Sequence, residues 1–105
     1  MRKNVDSILE KIKKDIESHR VILFMKGTKM MPVCGFSARV VSILNELEIP
    51  YETRNVLDDD KLRQGIKDFS NWPTIPQLYI DGKFIGGCDI VTEMHTKGDL
   101  KKLVS

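Results

Sequence analysis

Cysteine is scarce in this chain, which excludes a fold that depends on a framework of disulfide bonds. The 105 residues contain only two cysteines, Cys34 and Cys88. Small secreted domains built on disulfides carry many more, whereas isolated cysteines in a reducing compartment more often serve catalysis or metal binding. We therefore expect a cytoplasmic protein whose chemistry involves a thiol.

Long apolar runs and a large excess of one charge are also missing. No apolar stretch is long enough to span a membrane, and Asp6, Glu10, Asp15 and Glu17 near the N-terminus argue against a signal or transit peptide. The formal net charge of +2 is too small to indicate nucleic-acid binding. The remaining composition, 41% hydrophobic and 30% charged, is that of an ordinary globular protein. We expect one domain over residues 1–105, with neither a membrane nor a nucleic acid as partner.

Helical spacing of apolar residues predicts three amphipathic helices. Their expected buried faces hold Val5, Ile8, Leu9, Ile12 and Ile16, then Phe36, Val40, Val41, Leu44 and Leu47, and finally Leu62, Ile66 and Phe69. The second helix should end at Ile49–Pro50, because proline disfavours helical geometry in the residue before it. The third should begin at Asp58–Asp60, where negative charge suits the helix dipole. A last helical region after Cys88 should be interrupted near Gly98.

Four segments are predicted as strands. Val21–Met25 is wholly apolar, which is typical of a strand covered on both faces, and Tyr51–Val56 is the second. Gln77–Ile80 and Lys83–Ile85 flank Asp81–Gly82, the strongest short signal for a hairpin. Strands joined through a helix should be parallel and the hairpin antiparallel. The predicted fold class is α/β, with a four-stranded mixed sheet flanked by helices.

Cys34 begins a motif, Cys34-Gly35-Phe36-Ser37, that has the form of a two-thiol redox pair with serine in place of the second sulfur. Since a hydroxyl cannot close a disulfide, this thiol needs outside help, whether it exchanges disulfides or holds a metal. Free N–H groups and the dipole at the start of a helix should lower the pKa of the thiol. Its position in a loop after Pro32 favours a reactive cysteine over a buried structural one.

Several polar or special residues could assist Cys34, and each also has a plain structural interpretation. Lys26, at the end of the first strand, and Arg63 could bind a carboxylate, although each alone could be a surface charge. Pro76 marks a sheet edge or a special turn. An ordinary turn is favoured because cis bonds are rare, but a cis bond would present the main chain of Ile75 to an extended peptide.

Gly86-Gly87-Cys88-Asp89 allows close backbone approach and then starts a helix. Asp89 is expected first of all to cap this helix, with any contact to an ammonium group secondary. Cys88 could be a resolving thiol or a small packing residue. Met30 and Met31 are expected to cover apolar surface or to contact a partner rather than to bind metal.

Three motifs together resemble the monothiol glutaredoxins. They are Lys26-Gly27 followed by Pro32 and Cys34–Ser37, Trp72-Pro73-Thr74-Ile75-Pro76-Gln77, and Gly86-Gly87-Cys88-Asp89, in order over nearly the whole chain. The resemblance implies a thioredoxin-like fold and a single glutaredoxin domain over residues 1–105. It also implies that the outside helper of the thiol is glutathione.

The resemblance further implies a set of residues that bind glutathione. Lys26 and Arg63 would hold the carboxylate of its glycine end. Ile75, before a cis proline, would pair with its cysteinyl main chain. Cys88, through its main chain, and Asp89 would receive the γ-glutamyl end.

A cluster carrier is the first functional hypothesis. A [2Fe–2S] cluster takes four ligands, usually thiolates, and one chain offers the single well-placed sulfur of Cys34. A homodimer with two glutathione thiols would complete the set. Because half of these ligands dissociate, the cluster should be labile, which suits iron–sulfur cluster assembly, storage or transfer to recipient apoproteins.

Two other functions stay open. A thiol–disulfide oxidoreductase would use Cys34 to remove glutathione from protein thiols, although the long loop after Lys26 should limit this activity; a variant is a redox switch through a disulfide between Cys34 and Cys88. An interaction module would dock partners around the cluster, and the resemblance implies a BolA-like protein that replaces one subunit.

Overall fold

The computed structural model describes residues 2–105, and the side chains of residues 2–6 lie outside what it describes. The expected place of Val5 on a buried face therefore falls outside the described part. No described helix is both long enough and apolar enough to cross a membrane. The elements are α1 (Arg2–Glu17), β1 (Val21–Met25), α2 (Gly35–Glu46), β2 (Glu52–Asn55), α3 (Asp60–Ser70), β3 (Gln77–Ile80), β4 (Lys83–Gly86), α4 (Cys88–Lys97) and α5 (Asp99–Val104).

The sheet is mixed and has four strands in the order β2-β1-β3-β4. β1 is parallel to β2 and antiparallel to β3, and β3 is antiparallel to β4. At the hairpin, Asp81 and Gly82 have φ values of 52° and 80°, as a turn with two left-handed central residues requires. The predicted mixed sheet, its parallel pair and its terminal hairpin are confirmed.

β1 divides the hydrophobic core into two clusters. Because successive side chains of a strand point to opposite faces, Val21, Leu23 and Met25 join one cluster, and Ile22 and Phe24 join the other. The first cluster is completed by α2, α4 and α5, and the second by α1 and α3. All five residues of β1 are buried, which confirms the strand covered on both faces.

The helix boundaries follow local signals in the sequence. Asp59 caps α3, its side chain accepting hydrogen bonds from the backbone N–H groups of Lys61 and Leu62, so the predicted start at the aspartate run is confirmed. α2 ends at Glu46, three residues before Ile49, because the chain turns away at Glu48, whose φ is 57°; the predicted end at the proline step is therefore too late. Gly98, with a φ of 82°, separates α4 from α5, which confirms the interruption.

Gly65 allows α1 and α3 to pack closely. An added Cβ at this position would lie 3.0 Å from Cδ1 of Ile12 and 3.1 Å from Cγ1 of Ile8. These distances are shorter than nearly all Cβ contacts in proteins. The glycine therefore gives the isoleucines of α1 room to cover α3.

The expected burial of Phe36 on the inner face of α2 is wrong. Its side chain is 64% exposed, whereas Val40, Val41 and Leu44 on the same helix are buried. Phe36 belongs to the first turn of α2, which borders an open cleft instead of the sheet. Helical spacing identifies the apolar face but not the point at which the core ends.

Candidate functional site

A cleft of about 490 Å³ opens beside Cys34, a volume typical of small-molecule sites. Its walls come from the end of β1, the first turn of α2, the α3–β3 connection and the start of α4. Five of the predicted site residues line it: Lys26, Cys34, Ile75, Cys88 and Asp89. Segments far apart in the sequence thus meet around one thiol.

Cys34 is the N-cap residue of α2, with extended backbone angles of φ −139° and ψ 133°. The backbone N–H of Ser37 lowers the pKa of the Cys34 thiol most strongly; partial burial opposes it, and the Phe36 N–H, the Ser37 hydroxyl and the charge of Lys26 lower the pKa further. The predicted lowering by free N–H groups at a helix start is confirmed. A lower pKa increases the thiolate fraction, and the thiolate is both the nucleophile and the metal ligand.

Ser37 ties the start of α2 to the end of β1. It is completely buried, and its Oγ accepts a hydrogen bond of 3.1 Å from the backbone N–H of Lys26. The same hydroxyl lowers the pKa of the neighbouring Cys34 thiol. This role of Ser37 was not predicted from the sequence; a small polar residue on the inner face of an apolar helix is the signal that could have revealed it.

The loop between Lys26 and Cys34 is held by specific contacts and leaves its tip exposed. Gly27 pairs with Pro32 in an isolated bridge, and its N–H donates to Oδ1 of Asn55 over 2.9 Å. Met30 and Met31, at the tip, are 93% and 71% exposed. The expectation that these methionines cover apolar surface is therefore wrong, while contact with a partner stays a prediction.

The opposite wall of the cleft is the connection between α3 and β3 at residues 72–76 (the 72–76 turn). The peptide bond between Ile75 and Pro76 is cis. The prediction of an ordinary turn, made from the residues alone, is therefore wrong, and the cis bond implied by the resemblance is confirmed. β3 is an interior strand, so Pro76 marks a special turn and not a sheet edge. The side chain of Ile75 packs in the core beside Tyr79, which leaves its main chain as the part offered to the cleft.

The third wall is the connection from β4 to α4. Gly87 is the N-cap of α4 and makes no side-chain capping bond, so the expected capping role of Asp89 is wrong. Asp89 lies two positions beyond the N-cap, inside the first turn of the helix, and keeps an exposed carboxylate at the cleft. Cys88 is half-buried against the core, with its Sγ 3.9 Å from Oγ1 of Thr92, which favours the packing interpretation over a resolving role. Both cysteines are free thiols.

Two cations line the cleft, Lys26 and Lys67. Arg63 does not line it in this structure, although it lies half-buried one helical turn before Lys67 on α3. Residues four apart share a helix face. The position of Lys67 four residues after Arg63 is therefore the sequence signal that could have predicted Lys67 as a cleft residue. The role of Arg63 as a carboxylate ligand stays a prediction.

The cleft has the chemistry to bind a short peptide with charged ends. Lys26 and Lys67 can attract a carboxylate, Asp89 can attract an ammonium group, and the main chain of the 72–76 turn can pair with an extended backbone. Within the described residues, no group of three or more histidine, cysteine, aspartate or glutamate side chains could hold a metal ion. In this part of the chain, Cys34 therefore provides a thiolate at the cleft without further side chains that would complete a metal site.

Comparisons with known proteins agree in family and in fold. The glutaredoxin family model matches residues 21–85. A monothiol glutaredoxin (ycf64-like) of Synechocystis is 55% identical over 89 residues, which cover 85% of this chain and 83% of the relative. The solution structure of reduced poplar apo GrxS14 is 54% identical, with a TM-score of 0.80, covering 90% of this chain and 87% of that one. The crystal structure of a buckwheat glutaredoxin–glutathione complex is 26% identical, with a TM-score of 0.87, covering 99% and 93%.

Proposed function

Because the chain belongs to the monothiol glutaredoxin family and has its thioredoxin-like fold, we propose that it binds glutathione beside Cys34 and carries a labile [2Fe–2S] cluster between two subunits. The single observation that carries this proposal is the position of one low-pKa thiolate in a peptide-sized cleft. Such a thiolate is able to ligate iron but lacks a second sulfur ligand in its own motif.

The charges of the cleft support glutathione as the companion molecule. Lys26, Lys67 and the neighbouring Arg63 provide positive charge for the glycine carboxylate. Asp89 provides negative charge for the γ-glutamyl ammonium group, next to the main chain of Cys88, and Ile75 offers its main chain to the cysteinyl unit. A glutaredoxin of the same fold has been crystallised with glutathione, which supports the same ligand here.

The number of available sulfur ligands supports a cluster shared between chains. A [2Fe–2S] cluster needs four ligands, and in the described part of the chain Cys34 is the thiol with a lowered pKa at the cleft. Two Cys34 thiolates and two glutathione thiols make a complete set in a homodimer. The cluster is then cargo and leaves when glutathione dissociates, as a carrier in cluster assembly, storage or transfer requires.

Anaerobic reconstitution with iron, sulfide and glutathione tests the ligand assignment. The wild-type protein should give a coloured dimer that contains two glutathione molecules. Cys34→Ser should stay colourless and monomeric, whereas the matched control Cys88→Ser should take up the cluster, since only its main chain is assigned to the ligand. A Cys34→Ser protein that acquires the same cluster would show that the sulfur ligand lies elsewhere.

A second candidate function is removal of glutathione from protein thiols, favoured by the low pKa of Cys34 in the single chain. The Cys34 thiolate would attack the glutathione sulfur of a mixed disulfide and release the protein thiol. A second glutathione would then free Cys34 as oxidised glutathione leaves. Rapid turnover of a glutathione mixed disulfide by the cluster-free monomer would favour this function over the carrier.

Protein partners belong to the same proposal. Met30, Met31, Val33 and Phe36 form an exposed apolar surface beside Cys34, suited to contact with recipient apoproteins or with a BolA-like protein that replaces one subunit. A reducing, cytoplasmic setting fits the two free thiols. Titration of a BolA-like protein into the cluster-loaded dimer should change its visible circular dichroism and its mass; no change in either would argue against a mixed complex.

A further inference from the structure

Gln77 is a buried polar residue whose hydrogen bonds lead to the cleft. It is completely buried at the first position of β3. Its Nε2 donates to the backbone carbonyl of Trp72 and to that of Thr74, each over 3.2 Å. Its Oε1 accepts from the hydroxyl of Tyr79 over 3.0 Å. Both ends of the amide are thus engaged inside the protein.

The two accepting carbonyls bracket the first half of the 72–76 turn. Main-chain carbonyls in a connection without regular structure need partners when water is excluded, and here one side chain serves two of them. The residue that follows the second carbonyl is Ile75, which lines the cleft while its side chain packs in the core. Gln77 therefore constrains the chain directly next to the proposed pairing site.

Tyr79 holds the oxygen end of the Gln77 amide from inside the core. Its ring packs against Phe24, Phe69 and Phe84, with centroid distances of 5.7, 6.2 and 5.4 Å. Burial raises the pKa of its hydroxyl to about 12, so the hydroxyl keeps its proton and donates at neutral pH. Because the two carbonyls can only accept, the NH₂ end of Gln77 must face them, which leaves its oxygen end for the Tyr79 hydroxyl.

We propose that Gln77 is a positioning residue for glutathione. It holds the carbonyls of Trp72 and Thr74, and this fixes the main chain of Ile75 in the conformation that pairs with the peptide. The inference rests on the proposed glutathione site. An aliphatic residue would fill the same space without the need for three hydrogen bonds. The contribution of the amide is therefore to fix the conformation of the turn that forms this wall of the cleft. Gln77 acts through the turn and does not itself touch the ligand.

Substitutions of Gln77 test this role through two independent readouts. Gln77→Glu keeps the shape and the acceptor for Tyr79, but its buried carboxyl, even when protonated, can donate to at most one of the two carbonyls; Gln77→Met removes all three bonds. Both variants should raise the Kd for glutathione about tenfold, the scale expected from lost buried hydrogen bonds. Trp72 is the single tryptophan and lies in the turn, so its fluorescence spectrum should change in the unliganded variants.

Leu100→Ala is the matched control for a loss of stability alone. Leu100 is buried in the core cluster on the other face of the sheet, so this change should lower stability and leave both the Kd and the Trp72 spectrum as in wild type. Should neither Gln77 variant fold, Tyr79→Phe carries the test, since it frees the oxygen end of the amide. We expect it to raise the Kd roughly threefold, with a smaller spectral change.

The outcomes distinguish failure of the proposed glutathione binding from failure of the positioning role of Gln77. If wild-type protein does not bind glutathione, the proposed function fails, and the positioning role fails with it. If wild type binds while the folded variants bind within twofold of it with an unchanged Trp72 spectrum, the positioning role alone is overturned. It is also overturned if Leu100→Ala weakens binding as much as Gln77→Met does.

Discussion

Ser37→Ala should weaken the fold and the thiolate together, because one hydroxyl serves both. The change removes the acceptor of the Lys26 N–H, which now forms a 3.1 Å bond at a part-buried position. A donor left without a partner in such a place costs about 1–3 kcal/mol. Denaturant unfolding should therefore show a loss of this size, with the midpoint lowered and the slope unchanged.

The same substitution should raise the pKa of Cys34, though not to the value of an ordinary cysteine. The hydroxyl is a smaller cause than the backbone N–H of Ser37, and this N–H and that of Phe36 remain in the variant. The rate of alkylation by iodoacetamide follows the thiolate. Its midpoint in a pH series should shift upward in Ser37→Ala and stay below that of a model thiol.

Stability should depend on pH with a definite sign. The folded-state pKa of Cys34 is lowered, so ionisation favours the folded state at pH values above the unfolded pKa, and this contribution is lost as the pH falls through the folded pKa. The advantage of wild type over Ser37→Ala should accordingly grow toward alkaline pH. Ser42→Ala, at an exposed position of the same helix, is the control. If the two alanine variants share one stability and one alkylation profile, the role assigned to Ser37 is refuted.

Two further substitutions test the cleft and the packing beneath it. Lys67→Met should raise the Kd for glutathione roughly fivefold by calorimetry, in line with a lost charge-assisted contact, and the exposed Lys61→Met should leave it unchanged; equal effects would exclude a specific role for Lys67. Gly65→Ala should lower the free energy of unfolding by about 1 kcal/mol, because crowding of the Ile12 side chain at 3.0 Å outweighs the gain in helix propensity. An unchanged or higher stability would show that α1 adjusts freely.

The strands could be predicted from sequence because their signals are local. The apolar run Val21–Met25 needs cover on both faces wherever it lies, and Asp81–Gly82 specifies a tight turn by its own backbone preferences. The parallel β1–β2 pair follows from the helix between them. The order of all four strands, with β1 and β3 inside, depends on long-range packing that no single segment encodes.

The errors concern residues whose environment is tertiary. Phe36 continues the apolar spacing of α2 but lies beyond the core, at the cleft. Asp89 has the right side chain for a cap, yet the helix begins two residues too early for it to serve. Met30 and Met31 are apolar but project from a loop whose shape is set by contacts with Asn55 in β2.

The motifs of the site could be identified from the sequence, but the hydrogen bonds that hold these motifs in place could not. The resemblance selected Cys34, Ile75 and Asp89, which all line one cleft. The hydrogen bonds of Ser37 and Gln77 connect residues on different segments of the chain, from α2 to the end of β1 and from β3 to the 72–76 turn. Such bonds become visible only when the fold brings the segments together.

Calorimetric titration of glutathione into the reduced, cluster-free protein tests the central claim most directly. We expect one glutathione per chain, with binding that weakens as salt is added, because Lys26 and Lys67 attract its carboxylate at a partly open site. If the protein does not bind glutathione at low salt, with or without iron present, the thiolate of Cys34 has no companion ligand in this cleft, and the proposed function is wrong.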